Sequence, residues 1–145
     1  MAGLPTSISS LLSEFGWCID DLFLVCVFCD ELMSLEDCTH FENAVLSLIW
    51  KNGWPYGCCQ RCCRRAGYYE CSNFYQFSIF GHDLETLTGQ TLLQLCIRCY
   101  QCLKKLTLDD KLGLLWNNEP FHNIKNRWKG RCTQCRNAWD ALHST

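Results

Sequence analysis

Residues 96–102 read CIRCYQC, so Cys96, Cys99 and Cys102 offer two overlapping Cys-x-x-Cys pairs where one metal can use only one of them. A Cys-x-x-Cys turn lets two thiolates converge on a tetrahedral ion, and the pair chosen decides how the chain divides. An internal repeat settles the choice. With Cys99/Cys102 taken, the pairs Cys26/Cys29 and Cys59/Cys62 shift onto Cys99/Cys102 and Cys132/Cys135 by a constant 73 residues. Both modules then read C-x2-C-x29-C-x2-C, whereas using Cys96 or Cys58 breaks the match. Text beyond the cysteines repeats too: CVFCDELMSLED (26–37) aligns with CYQCLKKLTLDD (99–110). A duplicated structural zinc module explains this, with two Zn2+ per chain and four thiolates filling each shell. Such a site holds structure and leaves no open position for chemistry. Cross-bracing, in which the first and third pairs share a metal, is the competing arrangement.

The 14 cysteines in 145 residues would mark a disulfide framework in a secreted chain. The opening MAGLPTSISSLLSEFGWC lacks a basic leader and a long apolar run, so an intracellular, reducing setting is expected, where clustered cysteines read as metal ligands. The longest apolar run, LFLVCVF (22–28), is too short to cross a bilayer, and a soluble protein without a membrane partner is expected. Eight thiolates on two dications take the formal charge from −2 to −6, which argues against a general nucleic-acid binder. Basic residues are local, at Arg61, Arg64 and Arg65 and at Lys125, Arg127, Lys129 and Arg131, and are expected on solvated faces. Cys18, Cys38, Cys58, Cys63, Cys71 and Cys96 lie outside the repeat and read as small apolar residues. The four histidines form no HExxH pattern, and a phosphate loop and a Gly-x-Ser-x-Gly elbow are missing, so no enzyme is expected.

The predicted architecture is α+β: two small duplicated zinc-binding domains joined by a linker helix. It comprises an N-terminal arm (1–25), zinc domain one (26–65), a helical linker (66–95), zinc domain two (96–140) and a C-terminal tail (141–145). The arm is expected to carry short helices over SISSLLSEF and IDDLFLV. ELMSL and AVLSLIW are expected as strands and KNGWPYG as a turn, with KKLTL and FHNIKNRWKG in the corresponding parts and NNEP as the break before the second of these. Tyr68, Tyr69, Phe74, Tyr75 and Phe77 are expected in a packed helical connector, broken near Gly81 and again near Gly89.

The ligand arithmetic, the 36-residue gap between modules and the contexts IRCYQC and FHNIKNRWKGRCTQC resemble papillomavirus early protein six over nearly the whole chain. The resemblance implies a non-catalytic viral adaptor of host nucleus and cytoplasm, in which two zinc domains and a linker helix enclose a groove for an acidic Leu-x-x-Leu-Leu helix. Implied partners are a HECT-type ubiquitin ligase, or paxillin and Mastermind-like coactivators, with effects on host protein degradation, transcription, apoptosis and innate immunity. It also implies an apolar wall of Phe28, Leu46, Ile49, Cys58 and Cys63 and a polar clamp of Arg98, Lys125 and Arg127. Taken alone, Leu46 and Ile49 also fit ordinary strand core, and Arg98, beside Cys99, also fits a hydrogen bond to the zinc thiolates. The terminal ALHST lacks the hydrophobic last residue of a PDZ ligand, so no PDZ partner is expected; weak self-association is. The alternative function is a zinc-dependent nucleic-acid-binding transcription regulator, disfavoured because LSLIWKNGWPYG offers an apolar surface rather than a basic recognition helix.

Overall fold

The computed structural model describes residues 3–143, with side chains as far as residue 138. The first two residues of the arm, and the ALHST terminus expected to escape PDZ capture, lie outside that description or have no described side chains. The chain forms two compact units, divided in sequence between Cys63 and Arg64.

In the first unit, helix α1 (Ile8–Phe15) starts at the Ser7 cap and ends on Gly16, at φ 67°. Its buried Ile8 and Leu11 join the core, and Glu42 accepts from the Ile8 and Ser9 amides at 3.0 Å each. A carboxylate at a helix N-terminus satisfies orphan amides and complements the helix dipole. The chain then makes a 3-10 turn at Ile19–Asp21, strand β1 (Val25–Cys26), helix α2 (Leu35–Asn43), and strands β2 (Ile49–Lys51) and β3 (Trp54–Gly57). The sheet order is β1-β3-β2, with β1 parallel and β2 antiparallel to β3. Asn52 and Gly53, at φ 52° and 78°, supply the two left-handed residues of the tight β2–β3 hairpin.

Helix α3 (Gln60–Phe74) carries the chain into the second unit. There follow strand β4 (Tyr75–Ile79), helix α4 (Gly81–Thr88), strand β5 (Arg98–Cys99), helix α5 (Leu108–Trp116), strands β6 (Phe121–Ile124) and β7 (Arg127–Gly130), and helix α6 (Thr133–His143). Here the sheet has four strands in the order β4-β6-β7-β5.

The 73-residue repeat is reproduced bond by bond. Cys26↔Gly57 becomes Cys99↔Gly130, and the bridge Val25↔Leu32 becomes Arg98↔Lys105. Helix α5 covers the residues equivalent to α2, and Met33 N–H to Leu24 O recurs as Leu106 N–H to Ile97 O, each at 2.8 Å. The paired glycines are needed for packing. A Cβ on Gly57 would stand 2.7 Å from Met33 Sδ, and one on Gly130 would stand 2.8 Å from Leu114 Cδ1.

Several expectations are corrected. ELMSL and KKLTL contribute only single bridges at Leu32 and Lys105, because Ser34 with Asp37, and Thr107 with Asp110, form capping boxes that start helices immediately afterwards. AVLSLIW is strand only from Ile49, after Val45 turns at φ 57°. The linker 66–95 is not wholly helical, since β4 interrupts it and pairs with β6. Its aromatics are not packed away: Tyr68 and Tyr69 are exposed on α3, and Tyr75 and Phe77 ride on β4. Breaks fall near both glycines: β4 ends at Ile79 and Gly81 opens α4, and Gly89 ends that helix as a left-handed cap at φ 69°. Nor are all the cations solvated. Lys129 is buried, and Arg131 pairs with Glu119 at 2.8 Å. Lys111 is buried as well, and its Nζ donates to the Leu92 and Leu95 carbonyls at 2.7 Å each.

Each capping aspartate does a second job. Asp37 accepts from the Gln60 amide at 3.1 Å and Asp110 from the Thr133 amide at 3.0 Å, fixing the first turns of α3 and α6. Burial opposes ionisation of both, but those amides and the Ser34 and Thr107 amides outweigh it and hold both carboxyls below their ordinary value. Asp110 is buried and also meets Lys104 at 3.3 Å, while Asp37 is only half-buried. Asp110→Ala should therefore cost about 3 kcal/mol and Asp37→Ala about 1–2 kcal/mol in urea unfolding of the zinc-loaded chain. Equal losses would contradict this division of roles.

Candidate metal centre

The parallel bridges place the first cysteine of each module, Cys26 and Cys99, at the end of a short strand. The second, Cys29 and Cys102, follows in a knuckle whose left-handed residue is Asp30 in one module and Leu103 in the other, at φ 60° and 68°. The last pair straddles the start of a helix: Cys59 and Cys62 at α3, Cys132 and Cys135 at α6. Helix N-termini present unpaired amides and a positive field, which favour thiolates.

The sulfurs converge as two tetrads, Cys26/Cys29/Cys59/Cys62 and Cys99/Cys102/Cys132/Cys135, each with its four Sγ atoms within 4.8 Å of one another. Each module closes on its own four cysteines, so the cross-braced alternative is excluded. Cys29 and Cys59 lie 3.9 Å apart, and Cys99–Cys135 and Cys102–Cys132 each 3.8 Å. A tetrahedron with zinc–sulfur bonds of about 2.3 Å has edges of about 3.8 Å, so the spacing fits zinc. Cys96 is exposed and stands outside the tetrad, which resolves the overlap at 96–102.

Backbone amides support the sulfurs. Gln101 and Cys132 N–H donate to Cys99 Sγ at 3.4 and 3.5 Å, and Cys135 N–H donates to Cys132 Sγ at 3.4 Å. Arg64 Nη1 reaches Cys135 Sγ at 3.8 Å. At Cys26 burial opposes ionisation, yet the amides of Cys59, Cys29 and Phe28 outweigh it and lower the pKa from 9.0 to about 6. Cys132 is lowered to about 7, chiefly by the Cys102 thiol. Hydrogen bonds from its three neighbours pull Cys99 far below the thiol range, while theirs and burial push Cys102 above it. Four sulfurs this close cannot all ionise without a cation, so some keep a proton shared with a neighbour. A dication held by Cys99, Cys102, Cys132 and Cys135 would replace the shared protons and let all four ionise.

The wall and clamp residues divide between the units. In the first, Phe28 and Ile49 are exposed, Leu46 and Cys58 are half-buried, and Cys63 is completely buried against Cys58. In the second, Arg98 Nη1 donates to the Leu103 carbonyl at 2.8 Å, Lys125 Nζ stands 5.0 Å over the Phe74 ring, and Arg127 is exposed. Ile49 is an exposed strand residue, and Leu46 lies in the loop before β2 rather than in strand core.

The Early Protein (E6) family model matches residues 26–135, from the first tetrad cysteine to the last. Curated relatives include Protein E6 of Human papillomavirus 27, 39% identical over 131 residues, covering 90% of this chain and 82% of that protein. Protein E6 of Human papillomavirus 47 is 36% identical over 137 residues, covering 94% and 88%. A solution structure of the C-terminal zinc-binding domain of HPV51 oncoprotein E6 is 33% identical, covering 50% of this chain and 91% of that one, with a TM-score of 0.41.

Elemental analysis of purified, reduced protein should find two zinc ions per chain. Cys99→Ser should lose one ion and unfold the second module, since zinc contributes about 10–16 kcal/mol to folding in small modules. Cys96→Ser should keep both. Zinc loss in Cys96→Ser, with retention in Cys99→Ser, would reassign the tetrad.

Proposed function

The chain belongs to the Early Protein (E6) family of papillomaviruses, and from that premise we propose that it is a non-catalytic adaptor of host nucleus and cytoplasm that captures acidic Leu-x-x-Leu-Leu helices. The observation that carries this reading is the apolar surface of the first unit. Phe28 is 67% exposed and Ile49 43% exposed, with Leu46 half-buried nearby in sequence. Apolar side chains held open on a metal-stapled scaffold suit a helix presenting leucines at i, i+3 and i+4. Cys58 contributes to that surface, and buried Cys63 acts from behind it.

The cations of the second unit would read the acidic flanks. Lys125 occupies a hairpin tip at φ 56°, a left-handed conformation that costs a non-glycine residue about 1–2 kcal/mol. Arg127 opens β7, and Arg98 is anchored by its bond to Leu103. Guanidinium groups suit carboxylates and the free carbonyls at a helix C-terminus. The sources of such helices are host ubiquitin ligases of the HECT type, paxillin and Mastermind-like coactivators. Redirected degradation, altered transcription, reduced apoptosis and blunted innate immunity would then follow from which one is bound. A nucleic-acid reading has less support, because Lys129 is buried and both Arg131 and Arg136 pair with Glu119.

Leu46 matches Glu119 of the second module under the 73-residue shift, and Cys58 and Cys63 match the Arg131 and Arg136 that pair with Glu119. Leu46→Glu therefore introduces a carboxylate without the arginines that would pair with it. Titration of a labelled Leu-x-x-Leu-Leu peptide should show binding abolished in Leu46→Glu. In Arg127→Ala it should be weakened by about 1–3 kcal/mol, with zinc content unchanged in both. A folded Leu46→Glu protein that binds as well as wild type would overturn the assignment.

A further inference from the structure

The 73-residue repeat places positions 58 and 63 of the first module opposite positions 131 and 136 of the second. Each pair brackets a ligand pair on the chain, immediately before its first cysteine and immediately after its second. In the second module the bracketing residues are Arg131 and Arg136, both paired to Glu119 Oε1, at 2.8 and 3.1 Å. The fold thus brings these two positions within reach of a common partner. In the first module the same positions carry thiols, and their sulfurs touch at 3.4 Å. Neither thiol belongs to the tetrad, so neither is needed for the metal.

We propose that Cys58 and Cys63 form a peroxide-reactive dithiol that closes reversibly to a disulfide beside the first metal centre without using a metal ligand. Their accessibilities divide the labour. Cys58 is half-buried and can meet a small oxidant, whereas Cys63 is completely buried with its sulfur directed at Cys58. The Cys58 sulfur attacks one oxygen of hydrogen peroxide, the O–O bond breaks, and Cys58 sulfenic acid and one water result. The Cys63 sulfur then attacks the sulfenic sulfur, the S–O bond breaks, and the hydroxyl leaves with the Cys63 proton as a second water. Two thiols lose two electrons, and one peroxide gains them. The sulfurs must close from 3.4 Å to the disulfide length of about 2.05 Å. A low-molecular-weight thiol reverses the bond by exchange at Cys58, the half-buried member of the pair. Disulfides in a reducing compartment are typically of this transient kind. The inference stands independently of peptide capture.

The test treats the zinc-loaded, reduced full chain with one equivalent of hydrogen peroxide, denatures and alkylates it, and digests it with trypsin without reduction. Cleavage after Arg61 separates Cys58 from Cys63, so the bond appears as two linked peptides. Expected are that cross-link, both zinc ions still bound, and its disappearance on later addition of glutathione. Cys58→Ser, at a half-buried position, should give no cross-link with zinc content intact. Cys63→Ala should leave Cys58 as a sulfenic acid that dimedone traps. The proposal is overturned if Cys58 and Cys63 are recovered as alkylated thiols. Persistence of the cross-link in Cys58→Ser, or zinc loss in step with the first equivalent of oxidant, would also overturn it by making the ligands Cys59 and Cys62 the reactive sulfurs.

Discussion

Four sulfurs held within 4.8 Å of one another are the constraint on which each half of this chain depends. The secondary structure around them is meagre. The strands carrying the first cysteine of each module are two residues long, and the sheets hold three and four strands. Elements this short do not hold together by pairing alone. A metal that binds only when a strand end, a knuckle and a helix N-terminus coincide makes those pieces cooperative, and its binding free energy becomes folding free energy.

Around that point the duplication conserves backbone and varies side chains. Bridges, capping boxes, left-handed knuckles and close-packed glycines recur at equivalent positions. The differences fall beside the tetrads. Where the second module has Arg131, Arg136 and Glu119 in an ion-paired group, the first has Cys58, Cys63 and Leu46. Where the first has Cys38, the second buries Lys111, whose ammonium caps two carbonyls of the 92–95 turn. One scaffold thus carries apolar and thiol side chains at these positions in one half and an ion-paired group in the other.

The ligands were legible in the sequence because cysteine spacing is set by bond geometry, which tolerates no drift across the repeat. Periodicity was a poorer guide to the elements between them. Helices α2 and α5 are announced by Ser34-x-x-Asp37 and Thr107-x-x-Asp110, a local hydrogen-bonding signal that apolar content does not carry. Strand β4 follows the aromatic end of α3 without a glycine or proline to mark the change, and only pairing with β6, some 45 residues on, defines it. Burial of Lys129 and the shared Glu119 were likewise invisible, because tertiary partners decide them.

The central claim is that each module closes its own metal with four thiolates and nothing else. X-ray absorption at the zinc edge of the fully loaded chain tests it most directly. The account predicts a single shell of four sulfurs at about 2.3 Å, with no nitrogen or oxygen neighbour. A shell of three sulfurs with a shorter nitrogen or oxygen contact at about 2.0 Å would contradict it.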